Sequence, residues 1–81
     1  MSDAPDGEAR PYTLAFLTDQ WEWESELATS GLEQAKAASR EALLRLVREE
    51  GPELACITLL QDGRKIGVWD WVAKQAFWTP A

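Results

Sequence analysis

A chain of 81 residues has room for one hydrophobic core, and a domain of this size buries only about 60% of the surface its unfolded chain exposes. Hydrophobic residues at 46%, five of them Trp, exclude an intrinsically disordered chain, so one folded domain is expected. Fourteen acids against eight bases give a net charge of −6, which opposes nucleic acid and anionic membrane and favours a basic protein partner.

The acidity is local. Residues 1–30 hold Asp3, Asp6, Glu8, Asp19, Glu22, Glu24 and Glu26 against Arg10 alone, whereas the remainder balances acid and base. One cysteine, Cys56, and no histidine leave no internal disulfide and no transition-metal site of the usual kinds. No cofactor is expected. The thiol suits a reducing compartment, and the acidic start MSDAPDGEAR has neither a basic region nor an apolar run of a leader, which reads as cytoplasmic.

Residues 1–11, with Pro5, Gly7 and Pro11 among acids, read as a loosely held tail, leaving 12–81 as a single α+β domain. YTLAFL follows, a β-rich run with Tyr12, Leu14 and Phe16 on one face and Thr13, Ala15 and Leu17 on the other. Apolar residues on both faces predict an interior strand. After a turn at Thr18, Asp19 and Gln20, WEWESEL alternates strictly. It sets Trp21, Trp23, Ser25 and Leu27 on one side and Glu22, Glu24 and Glu26 on the other, the pattern of an edge strand whose charges deter stray pairing.

Ser30 and Glu33 have the spacing of a capping box, and Gly51-Pro52 closes and blocks a helix, so residues 31–50 are predicted helical. At 100° per residue Leu32, Ala35, Ala42, Leu43, Leu46 and Val47 form an apolar stripe with Ser39 inside it. Glu33, Arg40, Glu41, Arg45, Arg48 and Glu49 make the solvated side.

LACITLLQ-DG-RKIGVWDWV reads as a β-hairpin, because Asp62-Gly63 accepts the positive φ angles of a two-residue type I′ turn. A regular ladder then pairs Gln61 with Arg64, Leu59 with Ile66, Ile57 with Val68 and Cys56 with Trp69. That register gives an aliphatic face of Ala55, Ile57, Leu59, Ile66, Val68 and Val72 for the helix, with Asp70 on the same side. Trp69 and Trp71 are left on the opposite face. Gly67 marks a bulge or a place where an aromatic ring crosses the backbone. The C-terminal AKQAFWTPA carries Phe77 and Trp78, and either folds across the second face or continues the strand. The expected fold is thus ββαββ, one long helix on one face of a small antiparallel sheet.

Chemistry is scarce. Without histidine, and without the Gly-x-Ser-x-Gly, Ser-x-x-Lys or phosphate-loop patterns, the usual nucleophilic and phosphate-binding machinery is missing, and no enzyme is expected. Three glutamates on one strand face are first of all a solvated surface. Their spacing of about 6.6 to 6.8 Å, near that of phosphates along a nucleic-acid strand, would also let them stand in for nucleic acid toward a basic protein. Divalent-cation binding is a lesser reading, because no EF-hand loop pattern is present. The tryptophans read either as core or as an exposed platform of the kind found at interface hot spots.

The order of strand, strand, alanine-bearing capped helix and strand is similar to that of HicB-like antitoxins, none of whose specific motifs is present, and no membership follows. Small acidic phage inhibitors share only size and charge. The expected function is therefore a non-catalytic protein-binding module, one possibility being an inhibitor of a basic, nucleic-acid-binding protein. Its candidate binding residues are Trp21, Glu22, Trp23, Glu24, Glu26, Trp69, Trp71 and Trp78. The alternative is a structural or regulatory homodimer, antitoxin-like or phage-accessory-like, joined through the Trp-bearing face.

Overall fold

The computed structural model describes residues 12–29 and 31–81. The expected tail, 1–11, and the expected cap, Ser30, lie outside the described residues. Within them the chain runs β1 (Tyr12–Thr18), β2 (Glu22–Leu27), α1 (Leu32–Glu50), β3 (Ala55–Gln61), β4 (Arg64–Val72) and β5 (Gln75–Pro80). One helix packs on one face of a five-stranded antiparallel sheet ordered β2-β1-β3-β4-β5. The α+β class stands, and β1 is interior and β2 an edge, as their alternation requires.

The strand count differs from expectation by one. The C-terminal residues form β5, a second hairpin on β4 joined through Ala73 and Lys74, whose φ angles of 53° and 63° are both left-handed. Such a turn normally advertises itself through Asn or Gly. Here neither residue does.

The helix begins after Gly31, whose extended backbone occupies the N-cap position and whose carbonyl accepts the Ala35 N–H at 2.9 Å. Gly31 has no side chain with which to cap this end. At the other end Gly51, with φ 61°, returns its N–H to the Val47 carbonyl at 3.0 Å. Ala35, Ser39, Leu43 and Leu46 are buried beneath it. Leu32, expected in the same stripe, is instead 46% exposed at the first helical position.

Asp62 and Gly63 make the expected two-residue turn, with φ 55° and 77°, and Gln61 pairs with Arg64. The ladder then slips. Leu60 pairs with Lys65 and Leu59 with Gly67, so Ile66 is an extra residue in β4, half-buried against the core. Because side chains alternate with period two, one inserted residue exchanges the faces of everything beyond it. Ile57 therefore opposes Trp69 and Cys56 opposes Asp70. Trp69 and Trp71 belong to the helix side, while Val68, Asp70 and Val72 belong to the other, the reverse of the regular-ladder expectation.

The slip is tied to packing. A Cβ on Gly67 would run into the ring of Trp78 and the carbonyl of Thr79, so the missing side chain is what lets that indole approach the backbone of β4. Trp78 packs at 5.3 Å from Trp69, which is only 8% exposed, and the Trp69 indole N–H donates to the Lys36 carbonyl of α1 at 3.1 Å. The aliphatic Leu14, Leu43, Leu46, Ala55, Ile57 and Leu59 complete the core with Tyr12.

Candidate functional site

The eight candidate residues fall into three places. Trp69, Trp71 and Trp78 lie on the helix side of β4 and β5 and pack with the core. The expected Trp-bearing free face is thus corrected: Trp69 and Trp78 join helix to sheet, and Trp71 packs against the core. Lys36 adds its ammonium 4.9 Å from the centre of the Trp78 ring.

Trp21 and Trp23 sit on the same side of the sheet but at its far edge. The helix leans on β3, β4 and β5 and leaves the β1–β2 hairpin partly uncovered. There Phe16, Trp23 and Trp21 stack in series. The Phe16 and Trp23 rings are 4.6 Å apart and within 6° of parallel, and Trp23 and Trp21 are 3.4 Å apart at 29°. Trp21, the outermost, is 42% exposed. Its position is fixed by the turn before it: the buried Thr18 hydroxyl accepts from the backbone N–H groups of Gln20 and Trp21, and the Thr18 N–H donates to the Trp21 carbonyl at 2.9 Å. Two cavities flank this indole. One of about 210 Å³ runs between the aromatic stack and α1 at Ala42, Arg45, Leu46 and Glu49. The other, of about 350 Å³, is lined by Asp19, Glu50, Gly51 and Glu53 at the C-terminal end of the helix.

Glu22, Glu24 and Glu26 point to the opposite, open face of the sheet. Their cross-strand neighbours on β1 are Leu17, Ala15 and Thr13, none of them charged. A shallow depression of about 260 Å³ lies over Ala15 between Glu22 and Glu24. Further across the face, Leu17, Cys56, Asp70 and Phe77 form one row and Ala15, Thr58, Val68 and Thr79 the next. No described element packs on this side. Leu17, Val72 and Phe77 are 41%, 54% and 48% exposed, a set of apolar side chains that the regular-ladder register does not bring together. The signals that could have revealed it were Gly67 as a bulge marker and the apolar run Ala76, Phe77 and Trp78 within the last strand.

Cys56 and Asp70 are paired near the middle of this face. Partial burial pushes the Cys56 thiol above its ordinary value, and the neighbouring Asp70 carboxylate adds to the shift. Both effects make the thiolate, and hence nucleophilic use of Cys56, less accessible. Among the described residues no group of three or more acidic, Cys or His side chains is arranged to hold a metal ion, and no helix is long and apolar enough to cross a membrane.

Comparison with protein-family models, with curated proteins and with solved structures yields no match to this chain.

Proposed function

We infer that the protein is a non-catalytic binding module that engages a basic protein partner through the open face of its sheet. The observation that carries this reading is that Glu22, Glu24 and Glu26 share one face with the exposed Leu17, Val72 and Phe77. Exposed apolar groups gathered on one face and bordered by charge are the usual signature of a protein-binding surface. Burial of these apolar side chains supplies affinity. The acidic strand at the edge steers a positively charged partner and sets its orientation.

A partner that presents basic groups to nucleic acid fits this chemistry, so inhibition of a nucleic-acid-binding protein is one form the activity takes. A cytoplasmic setting fits the single thiol. The homodimer is the second reading, now relocated. Trp69, Trp71 and Trp78 pack with the core, but the exposed Leu17, Val72 and Phe77 of the open face offer an alternative apolar contact.

The test is affinity capture from host lysate with wild type, Glu22→Lys/Glu24→Lys/Glu26→Lys and Phe77→Ser. Under this reading one basic protein is retained by wild type, released by moderate salt, and lost with either variant. Retention that neither variant alters removes this face as the binding surface. Light scattering separates the second reading: a concentration-dependent dimer abolished by Phe77→Ser favours self-association.

A further inference from the structure

The cleft at Trp21 has a chemistry of its own, unlike that of the open sheet face. Its floor is an aromatic stack that ends in an exposed indole, so one large π-face meets solvent with its position fixed by Trp23 behind it and the Thr18 turn below. Its surroundings are acidic. Asp19, Glu49, Glu50 and Glu53 line the two cavities on either side of Trp21, against one base, Arg45. The helix also ends here, at Glu50 and Gly51, and the carbonyl end of α1 carries the negative pole of its dipole. An aromatic face, carboxylates and a helix C-terminus all select for positive charge.

We propose that this cleft receives an arginine side chain of a partner polypeptide, its guanidinium stacked on Trp21 and bonded to the carboxylates of Glu49 and Glu50. Arginine fits better than lysine for a physical reason. A guanidinium is planar and weakly hydrated, so it stacks on an indole while its edge N–H groups reach carboxylates, whereas an ammonium is a strongly hydrated point charge. A cavity of about 210 Å³ between the stack and the helix is large enough for one such side chain and open enough to be entered from solvent. The inference rests on the reading of the partner as basic but uses the other side of the sheet, so each can fail without the other.

The experiment is a titration of ¹⁵N-labelled protein with hexa-arginine, hexa-lysine and hexa-citrulline, following the Trp21 indole N–H resonance, assigned by its loss in Trp21→Phe. Hexa-citrulline keeps the shape of the side chain and removes its charge. The expected result is a saturable shift of the Trp21 indole with hexa-arginine, several-fold weaker binding of hexa-lysine and no shift with hexa-citrulline. Glu49→Gln/Glu50→Gln, followed at the Trp21 indole, and Trp21→Ala, followed at the backbone amides of Glu49 and Glu50, should each weaken hexa-arginine at least five-fold, with the rest of the spectrum unchanged as a control for folding. Glu22→Gln/Glu24→Gln/Glu26→Gln should leave the Trp21 shift in place. Affinity for hexa-arginine within two-fold of wild type in both cleft variants overturns the proposal. So do shifts confined to Glu22, Glu24 and Glu26, which would assign the binding to the open face alone, and equal binding of the arginine and lysine peptides.

Discussion

The indole Nε1–H of Trp69 donates to the main-chain carbonyl of Lys36 at 3.1 Å, across the boundary between sheet and helix. Lys36 lies in the second turn of α1, and its carbonyl also accepts the Ser39 hydroxyl at 2.7 Å. Trp69 thus fixes where along its length the helix meets β4. Replacing it by Phe keeps an aromatic ring in the core but removes the donor and part of the buried surface. A hydrogen bond of this kind contributes about 0.5–1.5 kcal/mol net, and with the lost ring area Trp69→Phe should cost roughly 2 kcal/mol. Urea denaturation measures this as a lower midpoint at unchanged slope. A midpoint equal to wild type would mean that the bond does not hold the helix.

Gly67 gives the second prediction. Its missing side chain makes room for Trp78, and any Cβ there meets the indole and the Thr79 carbonyl. Gly67→Ala must displace β5 or tilt the ring, at a cost of about 1–3 kcal/mol typical of overpacking. The near-ultraviolet circular dichroism should change with it, since Trp78 and Trp69 are neighbours at 5.3 Å. In an ordinary strand, by contrast, the same substitution would stabilise slightly by lowering the entropy of the unfolded chain. The sign of the effect therefore decides whether the ring lies over the backbone.

How much of this was legible in the sequence depends on the length scale over which each signal acts. The turn at Asp62-Gly63, the helix end at Gly51, the interior β1 and the acidic edge β2 are all set by residues within a few positions of one another, and all are present. The faces of β4 differ from the regular-ladder expectation because they depend on Ile66, an inserted residue that looks like any other β-branched strand residue. Gly67 beside it was the one local sign of a bulge, yet the ring that needs its missing side chain is Trp78, eleven positions away and in a strand the sequence does not announce. One residue of slip then carried Trp69 and Trp71 from the free face to the core. The candidate site was legible in its acidic half and not in its apolar half, since Leu17, Val72 and Phe77 fall on one face only after both hairpins are in register.

The turn between β4 and β5 supplies a third prediction. Ala73 and Lys74 both adopt the left-handed region, at φ 53° and 63°, and both are exposed. A residue with a Cβ held there costs about 1 kcal/mol or more relative to an unstrained conformation. Asn-Gly is the preferred pair for a turn with two positive φ angles, so Ala73→Asn with Lys74→Gly should raise stability by roughly 1–2 kcal/mol. Thermal unfolding reads this as a higher Tm. A lower Tm would show that the strain is absent or that Lys74 makes a contribution outweighing it.

Cys56 provides a test of the open face that does not require a partner. Its thiol is half-buried beside Asp70, and burial first and the carboxylate second raise its pKa. Below the ordinary thiol value of about 8.5, folded and unfolded chains both hold the proton, and Cys56 adds no slope to stability. Above it the unfolded chain releases the proton while the folded chain retains it, so the unfolded state binds fewer protons and stability falls as pH rises, until the raised folded value is passed. Cys56→Ser should remove this component from a series of denaturation midpoints taken from pH 8 upward. Asp70→Asn should shrink it without abolishing it, because burial remains the larger cause. The same variant should speed alkylation of the thiol at pH 8 by a small-molecule haloacetamide, as more thiolate is present once the neighbouring charge is gone. An alkylation rate that Asp70→Asn leaves unchanged would mean that the carboxylate does not face the thiol. The one-residue slip at Ile66, which alone puts these two groups on the same face, would then be wrong.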